Sequence, residues 1–480
     1  MNFDILSLLP ELAFFLLAMI LFAGTLFAEK YPAVPEAILA ALPFLTGALA
    51  AVAAGSLAAR GVMFWGCYKI DALSQLFKLL VAAGFCVAVV NARKQPTLEE
   101  GQRLDYFLFL SFSAWGLIFM ASAAELVAIY LAMELASYSL YILIPLRARS
   151  KGAAEAGIKY ILFGAAATAL ALYGLSWIMA SQQTTYLSEL AGRDWSFSGN
   201  PLATIGLSLF LAGLFFKLAL FPFHFWCPDV YQGASNETAA YVATLPKMGA
   251  IVVLTRLGAL IAPGGDLANM LAILAALSMT FGNLCALAQK DLKRMLGFSS
   301  VAHAGYLLVG LTPGTPAGLA ASAFYAAAYL AMNLLCFWVI SRVAPDGRNL
   351  TYRDLNGLSK RSPWLALSLA AAAFSLVGLP PTIGFIGKLW LVVGAWGHGY
   401  DWLVITLCLN SAIAVFYYLS LVRHAYAEGE DDPVPGAAPD SGAFSLAGAG
   451  LLALIVVGLG LVPGPVFNFA LKAGQALFVN

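Results

Sequence analysis

The sequence predicts an all-α polytopic membrane protein of about fourteen transmembrane helices, arranged as two inverted five-helix repeats with discontinuous seventh and twelfth helices. Three observations carry that fold class. The 480 residues are 61% hydrophobic and only 11% charged, whereas a soluble domain is about one quarter charged. The apolar residues fall in successive runs close to the ~20 residues that a bilayer requires. Two of those runs are interrupted by proline and each carries a lysine.

The spans lie near 4–27, 36–58, 70–90, 105–122, 125–144, 156–180, 202–225, 240–261, 267–288, 294–312, 317–341, 364–396, 402–423 and 443–462. Orientation follows from the loops. Of the 26 lysines and arginines, sixteen fall in one alternate set of loops and four (Arg60, Lys69, Arg193, Lys472) in the other. The richer side is cytoplasmic, and an even number of spans then puts both termini on the opposite side. The remaining six, Lys78, Lys159, Lys217, Lys247, Arg256 and Lys388, fall inside spans. Ionisable groups at that depth are costly and mark functional paths.

The first three spans carry little chemistry: Lys78 follows Asp71 by seven residues on roughly the same face, and an intrahelical or interhelical structural pair is expected. The fourth and fifth spans are separated only by the polar spot Ser122 to Glu125. The fifth, ELVAIYLAMELASYSLYIL, sets Glu134 near its middle, where a carboxylate must be protonated, paired or hydrated. In the sixth, Lys159 lies about one turn inside the basic end, within reach of the surface by snorkelling and of Glu155 at i−4.

The seventh span carries Lys217, breaks at Pro222 and continues with His224. Proline removes an i−4 hydrogen bond and kinks the helix. The freed carbonyls are tolerated at bilayer depth only where protein or a wetted cavity covers them, and a charge beside such a break is transporter-like. An unperturbed histidine titrates near neutral pH, so His224, seven residues from Lys217, reads as a relay or as a core hydrogen-bonding group. The eighth span sets Lys247 directly after Pro246 with no carboxylate near it in the span, and Arg256 further along reads as structural. In the tenth, His303 with Ser299, Ser300 and Tyr306 forms a polar stripe that holds water or bonds neighbouring helices.

The twelfth span breaks at Gly378 to Pro381 and carries Lys388 after the break, whereas Lys217 precedes its own. The seventh and twelfth spans are five apart, so they cross in opposite directions. A break with a lysine in each predicts an inverted repeat of spans four to eight and nine to thirteen. This divides the chain into an N-terminal three-helix segment (1–103), a first five-helix unit (104–262), a second (263–424), and a loop with a final helix (425–480). The acidic, proline-rich stretch AEGEDDPVPGAAPDSGAF reads as a solvated loop, so Glu428, Glu430, Asp431 and Asp432 are expected at the surface.

Other classes are excluded. The six cysteines are scattered with no C-x-x-C, which argues against iron–sulfur ligation and disulfides. There is no G-x-G-x-x-G or P-loop for a nucleotide, and a net charge of +1 makes nucleic acid an unsuitable partner. The first segment has no basic leader region and is long enough to span, so no cleaved signal is expected.

The stretches YLAMELASYSLYIL, FKLALFPFHFWCPDVYQGA, GNLCALAQKDLKRMLGFSSVAHAGY, FYAAAYLAMNLLCFW, YRDLNGLSKRSP and FSLVGLPPTIGFIGKLWL resemble the antiporter-like (Mrp-type) membrane subunits of respiratory NADH:quinone oxidoreductase (complex I). Among these the chain is most similar to the subunit N type. The resemblance implies a proton-translocating subunit of a bacterial inner membrane, with both termini periplasmic. Its partners would be the lipid bilayer and the other membrane subunits: an adjacent antiporter-like subunit and small membrane subunits. No cofactor is expected on this chain; NADH, FMN, iron–sulfur clusters and quinone would belong to partner subunits. Glu134 and Lys217 would form a coupled pair, Lys159 would stand at the cytoplasmic mouth, and Lys247 with His303 would form a central link to Lys388. One departure stands out: after Gly233 the family has a proline-rich apolar run, and here Ala-Ser-Asn-Glu-Thr brings in Glu237. The same broken helices would also serve a cation (Na+)/proton antiporter without redox function, or a scaffold that only anchors its neighbours.

Overall fold

The computed structural model describes residues 5–148, 150–258, 261–427 and 438–477. Glu428, Glu430, Asp431 and Asp432 lie outside the described residues. Three helices come first: α1 (Leu9–Phe27), α2 (Ala33–Gly55) and α3 (Ala72–Ala92). Next are α4 (Arg103–Ser122), α5 (Leu126–Leu143), α6 (Lys151–Gln182), the short α7 (Leu187–Leu190), α8 (Pro201–Leu218), α9 (Trp226–Gly233) and α10 (Asn236–Gly258). Then follow α11 (Asp266–Leu287), α12 (Leu292–Leu311), α13 (Pro316–Val343), the short α14 (Leu358–Arg361), α15 (Pro363–Val377), α16 (Ile383–Ala395) and α17 (Asp401–Tyr426), with α18 (Ala443–Leu461) and α19 (Gly464–Gln475) last. A small hairpin, β1 (Gly61–Met63) and β2 (Tyr68–Ile70), lies between α2 and α3. Neither the hairpin nor α19 was expected from the hydropathy.

Among the described residues, twelve helices are long and apolar enough to cross a membrane. Helix α12 has 20 residues but carries Lys293, Arg294 and His303. At 15 and 13 residues, α15 and α16 are each too short to span alone. The twelfth span is therefore discontinuous, as predicted, and the predicted seventh breaks after α8, with helix resuming only at Trp226 of α9. Burial sorts the helices. The apolar window of α10 is wholly buried and that of α13 is 94% buried, while only 22% of that of α2 is. Phe44, Phe416 and Leu454 turn outward, as a lipid-facing wall requires.

The helices of the two expected five-helix units show matching pairings. α4 lies on α5 and α6 on α8, with α10 on α8 and α4; α11 lies on α12 and α13 on α15, with α17 on α15 and α11. The first pair closes through Gly116, where a Cβ would stand 2.6 Å from the Ala136 nitrogen. Its counterpart closes through Gly282, where a Cβ would stand 2.5 Å from the Ala302 nitrogen.

Of the two pairings expected for Lys78, the intrahelical one with Asp71 is not formed and an interhelical one is. Asp71 caps α3, accepting from the Ser74 amide at 2.8 Å, so its carboxylate faces back from the helix start and away from a lysine two turns on. It binds Arg256 instead, at 2.7 and 2.9 Å. Lys78, with no exposed surface, pairs with Glu11 of α1 at 2.5 Å, and the Tyr68 hydroxyl donates to the same carboxylate. These bonds tie the N-terminal helices to one another and to α10.

Candidate functional site

α8 and α15 end in the same way. After α8, the Leu220 amide donates to Phe215 O at 2.9 Å and the Ala219 amide to Phe216 O at 3.0 Å. After α15, the Leu379 amide donates to Phe374 O at 2.9 Å and the Gly378 amide to Ser375 O at 3.0 Å. This paired closure needs a left-handed residue, supplied by Ala219 (φ 60°) and Gly378 (φ 89°). Each break continues through a cis bond, Phe221–Pro222 or Pro380–Pro381. Matched residue by residue across these bonds, Lys388 falls opposite Asp229 and Lys217 opposite Leu376. The break is repeated and its lysine is not.

Near the first break, Glu134 on α5 and Lys217 in the last turn of α8 are 6% and 4% exposed. Glu134 Oε1, Lys217 Nζ and the Tyr141 hydroxyl have no hydrogen-bond partner. The Lys217 ammonium lies over the rings of Phe216, Tyr160 and Tyr141 at 5.1, 5.6 and 6.0 Å, within cation–π range. Glu134 stands on the same face of α5 as Tyr141, seven residues before it. A buried acid and amine near each other, with bonding capacity unused, form a couple whose proton can be relocated by a small change in field.

Two hydrogen-bonded groups, joined by ring contacts, make a polar line that starts at Lys247. Its amine, buried in α10, donates to Ser300 O at 3.2 Å and also to Ser300 Oγ. Ser300 Oγ is shared with the hydroxyls of Tyr329 (2.6 Å) and Tyr231 (2.9 Å). One turn along α12, His303 bonds through Nδ1 to the Tyr325 hydroxyl at 2.7 Å and through Nε2 to that of Tyr418 at 3.1 Å. Tyr418 also bonds Ser299. The His303 ring meets Tyr306 edge-on at 5.4 Å. Over that tyrosine, at 4.6 Å, lies the amine of Lys388, which donates to Val377 O at 2.8 Å and Leu376 O at 3.3 Å. Lys247, His303 and Lys388 are thus brought together.

Lys159 stands apart, in a 480 Å³ cavity among the basic loops. It pairs with Glu155 at 2.7 Å and with Asp229 at 2.6 Å. The second oxygen of Asp229 is taken by Arg294. His224 is not brought to any of the lysines. Its ring sits among Phe225, Phe281 and Phe221 at 4.6, 4.7 and 5.4 Å, and Nδ1 is unpartnered.

Sequence reasoning missed Asp229 and the tyrosines that join the line. The signal for Tyr325 and Tyr329 was present: an i, i+4 pair in an alanine-rich helix puts two hydroxyls on one face.

The family model described as NADH:quinone oxidoreductase/Mrp antiporter, TM, matches residues 123–414. The chain is 55% identical, over 476 residues and 99% of both chains, to NADH-quinone oxidoreductase subunit N 2 of Solidesulfovibrio magneticus. The chain belongs to the subunit N family of NADH-quinone oxidoreductase. Another member, subunit N 2 of Opitutus terrae, is 41% identical over 464 residues, 95% of each chain. In respiratory complex I from Thermus thermophilus, one chain is 32% identical with a TM-score of 0.81, covering 94% of this chain and 98% of that one. As a subunit N family member this chain is a multi-pass, antiporter-like membrane subunit of complex I type, and the buried line runs through the matched region.

Proposed function

We propose that this chain translocates protons through a mid-membrane axis of Glu134, Lys217, Lys247, His303 and Lys388, driven by quinone reduction in other subunits. The observation that carries the reading is the run of polar groups and ring contacts from Lys247 through Ser300, His303 and Tyr306 to Lys388, beside an acid–amine couple with unused bonding capacity. Neutralising or displacing the Glu134 charge removes what holds the Lys217 ammonium, and its proton moves toward Lys247. Ser300, the tyrosines and His303 then donate and accept in turn toward Lys388. Lys159 with Asp229 forms a mouth on the basic side, which we assign to the cytoplasm. Fourteen crossings would leave both termini on the periplasmic side of a bacterial inner membrane, and the matched packing of the two units supports the inverted repeat. The surroundings of His224 argue for a packing role in place of a relay. Redox cofactors belong to partner subunits in this reading. A sodium site needs a set of oxygen ligands, and this line is built on amines, hydroxyls and an imidazole.

Inverted membrane vesicles carrying Lys217→Ala test the proposal. Proton uptake and NADH-to-quinone electron transfer are both expected to fall with the complex fully assembled. Normal rates of both would demote the axis to structure and support a scaffold.

A further inference from the structure

We propose that Glu237 takes up protons at a second opening on the basic-loop side and feeds them along α10 to Lys247. The inference rests on the proton-translocating reading above and adds a residue and a route to it. A 570 Å³ cavity lies between α3, α13 and the start of α18, and Glu237 lines it with Asn91, Ser341, Arg342 and Asp440. Arg93, Lys94 and Phe444 at its rim are exposed, so water reaches it.

Glu237 is 4% exposed, and its Oε2 has no hydrogen-bond partner. That separates it from the neighbouring acids. Both oxygens of Asp229 are held by cations. Asp440 accepts from the Ser445 hydroxyl at 2.5 Å, which holds its carboxyl below the usual carboxylate range. Lys293 and Arg147 are committed to backbone carbonyls, Lys293 to Ala234 O at 2.7 Å and Arg147 to Gly233 O and Ala234 O at 3.1 and 3.2 Å. Their charges and that of Arg342 face Glu237 without bonding its free oxygen. A buried carboxylate with an open lone pair in a wetted cavity is a group able to accept a proton from water and give it up again.

The path inward is set by helical spacing. Glu237, Thr244 and Lys247 are seven and three residues apart, which puts them on one stripe of α10. At 1.5 Å per residue, Glu237 lies ~15 Å along the axis from Lys247. Further hydroxyls stand beside the stripe: Thr238, bonded to Tyr106 at 3.1 Å and to Ser235 at 2.9 Å, and Tyr241. In each cycle the carboxylate gains one proton from cavity water, passes it toward Lys247 and returns to the anion, so charge balances.

The test uses inverted vesicles with the assembled complex, reading proton uptake and NADH-to-quinone electron transfer in Glu237→Gln, Glu237→Asp, Ser341→Leu and Lys217→Ala. Glu237→Gln keeps the shape and loses the exchangeable acid, so coupled proton uptake should drop on the order of tenfold or more. Glu237→Asp should restore most of it, which a purely structural role for the side chain would not give. Ser341→Leu narrows the cavity with Glu237 intact and should slow uptake too; it decides the matter if Glu237→Gln does not assemble. Normal pumping in Glu237→Gln and Ser341→Leu beside a blocked Lys217→Ala overturns this inference alone. Normal pumping in Lys217→Ala as well overturns the reading beneath it.

Discussion

The break after α8 and the break after α15 share a backbone and differ in what fills it. In the second, Lys388 donates to the carbonyls of Leu376 and Val377 that the break frees, so the end of α15 is closed by a cation, the charge that a helix C-terminus favours. In the first, the Trp226 indole donates to Phe216 O at 2.9 Å. Lys217 makes no hydrogen bond and turns to the aromatic rings near Glu134. One lysine is anchored by neutral dipoles that do not change. In the proposed function the other is held by a charge that can, so that one scaffold would yield a fixed station and a responsive one.

The largest effect should come from removing the responsive lysine: Lys217→Ala should lower coupled proton uptake by at least about tenfold, read in inverted vesicles at matched assembly. Stability should separate the two lysines in the opposite sense. Lys388→Met leaves two buried carbonyls unpaired and should cost about 1–3 kcal/mol, seen as a lower thermal midpoint of the purified complex in detergent. Lys217→Met removes an amine with no hydrogen bonds and should leave that midpoint unchanged or higher. Equal losses in the two variants would mean that the two lysines are held alike.

The left-handed positions offer a smaller test. A Cβ on Gly378 would stand 2.9 Å from Lys388 Cδ, so Gly378→Ala should displace the amine and cost about 1–2 kcal/mol with the left-handed strain included. Ala219 already tolerates that conformation, and Ala219→Gly should stabilise by up to about 1 kcal/mol. Identical responses at both sites would show that the breaks are not chemically distinct. Least of all, Trp226→Phe removes one of the two hydrogen bonds to Phe216 O, which keeps the Ala219 amide, and should cost about 0.5–1.5 kcal/mol with pumping retained. Lost pumping in that variant would mean that the first break needs its indole to position Lys217.

The membrane class, the spans, both broken helices and the mid-membrane acid and lysines were legible in the sequence, because hydropathy, proline and charge act within a single helix. Glu134, Lys217, Lys247, His303 and Lys388 stood out as candidates because an ionisable residue in an apolar run is conspicuous wherever it folds. The tyrosines that join them were not, since a tyrosine in such a run is ordinary until a partner faces it. Lys78 shows the limit most directly: local spacing pointed to Asp71, and the fold supplied Glu11 from another helix while Asp71 capped its own. Asp229, read only as part of a motif, became the bridge between Lys159 and Arg294. The sequence by itself determined where the long apolar spans fall and which of them carry ionisable residues. Only the tertiary structure decided which charges meet, because pairing across helices depends on the rotation and depth at which each one packs, and neither is encoded in the spacing along any single helix.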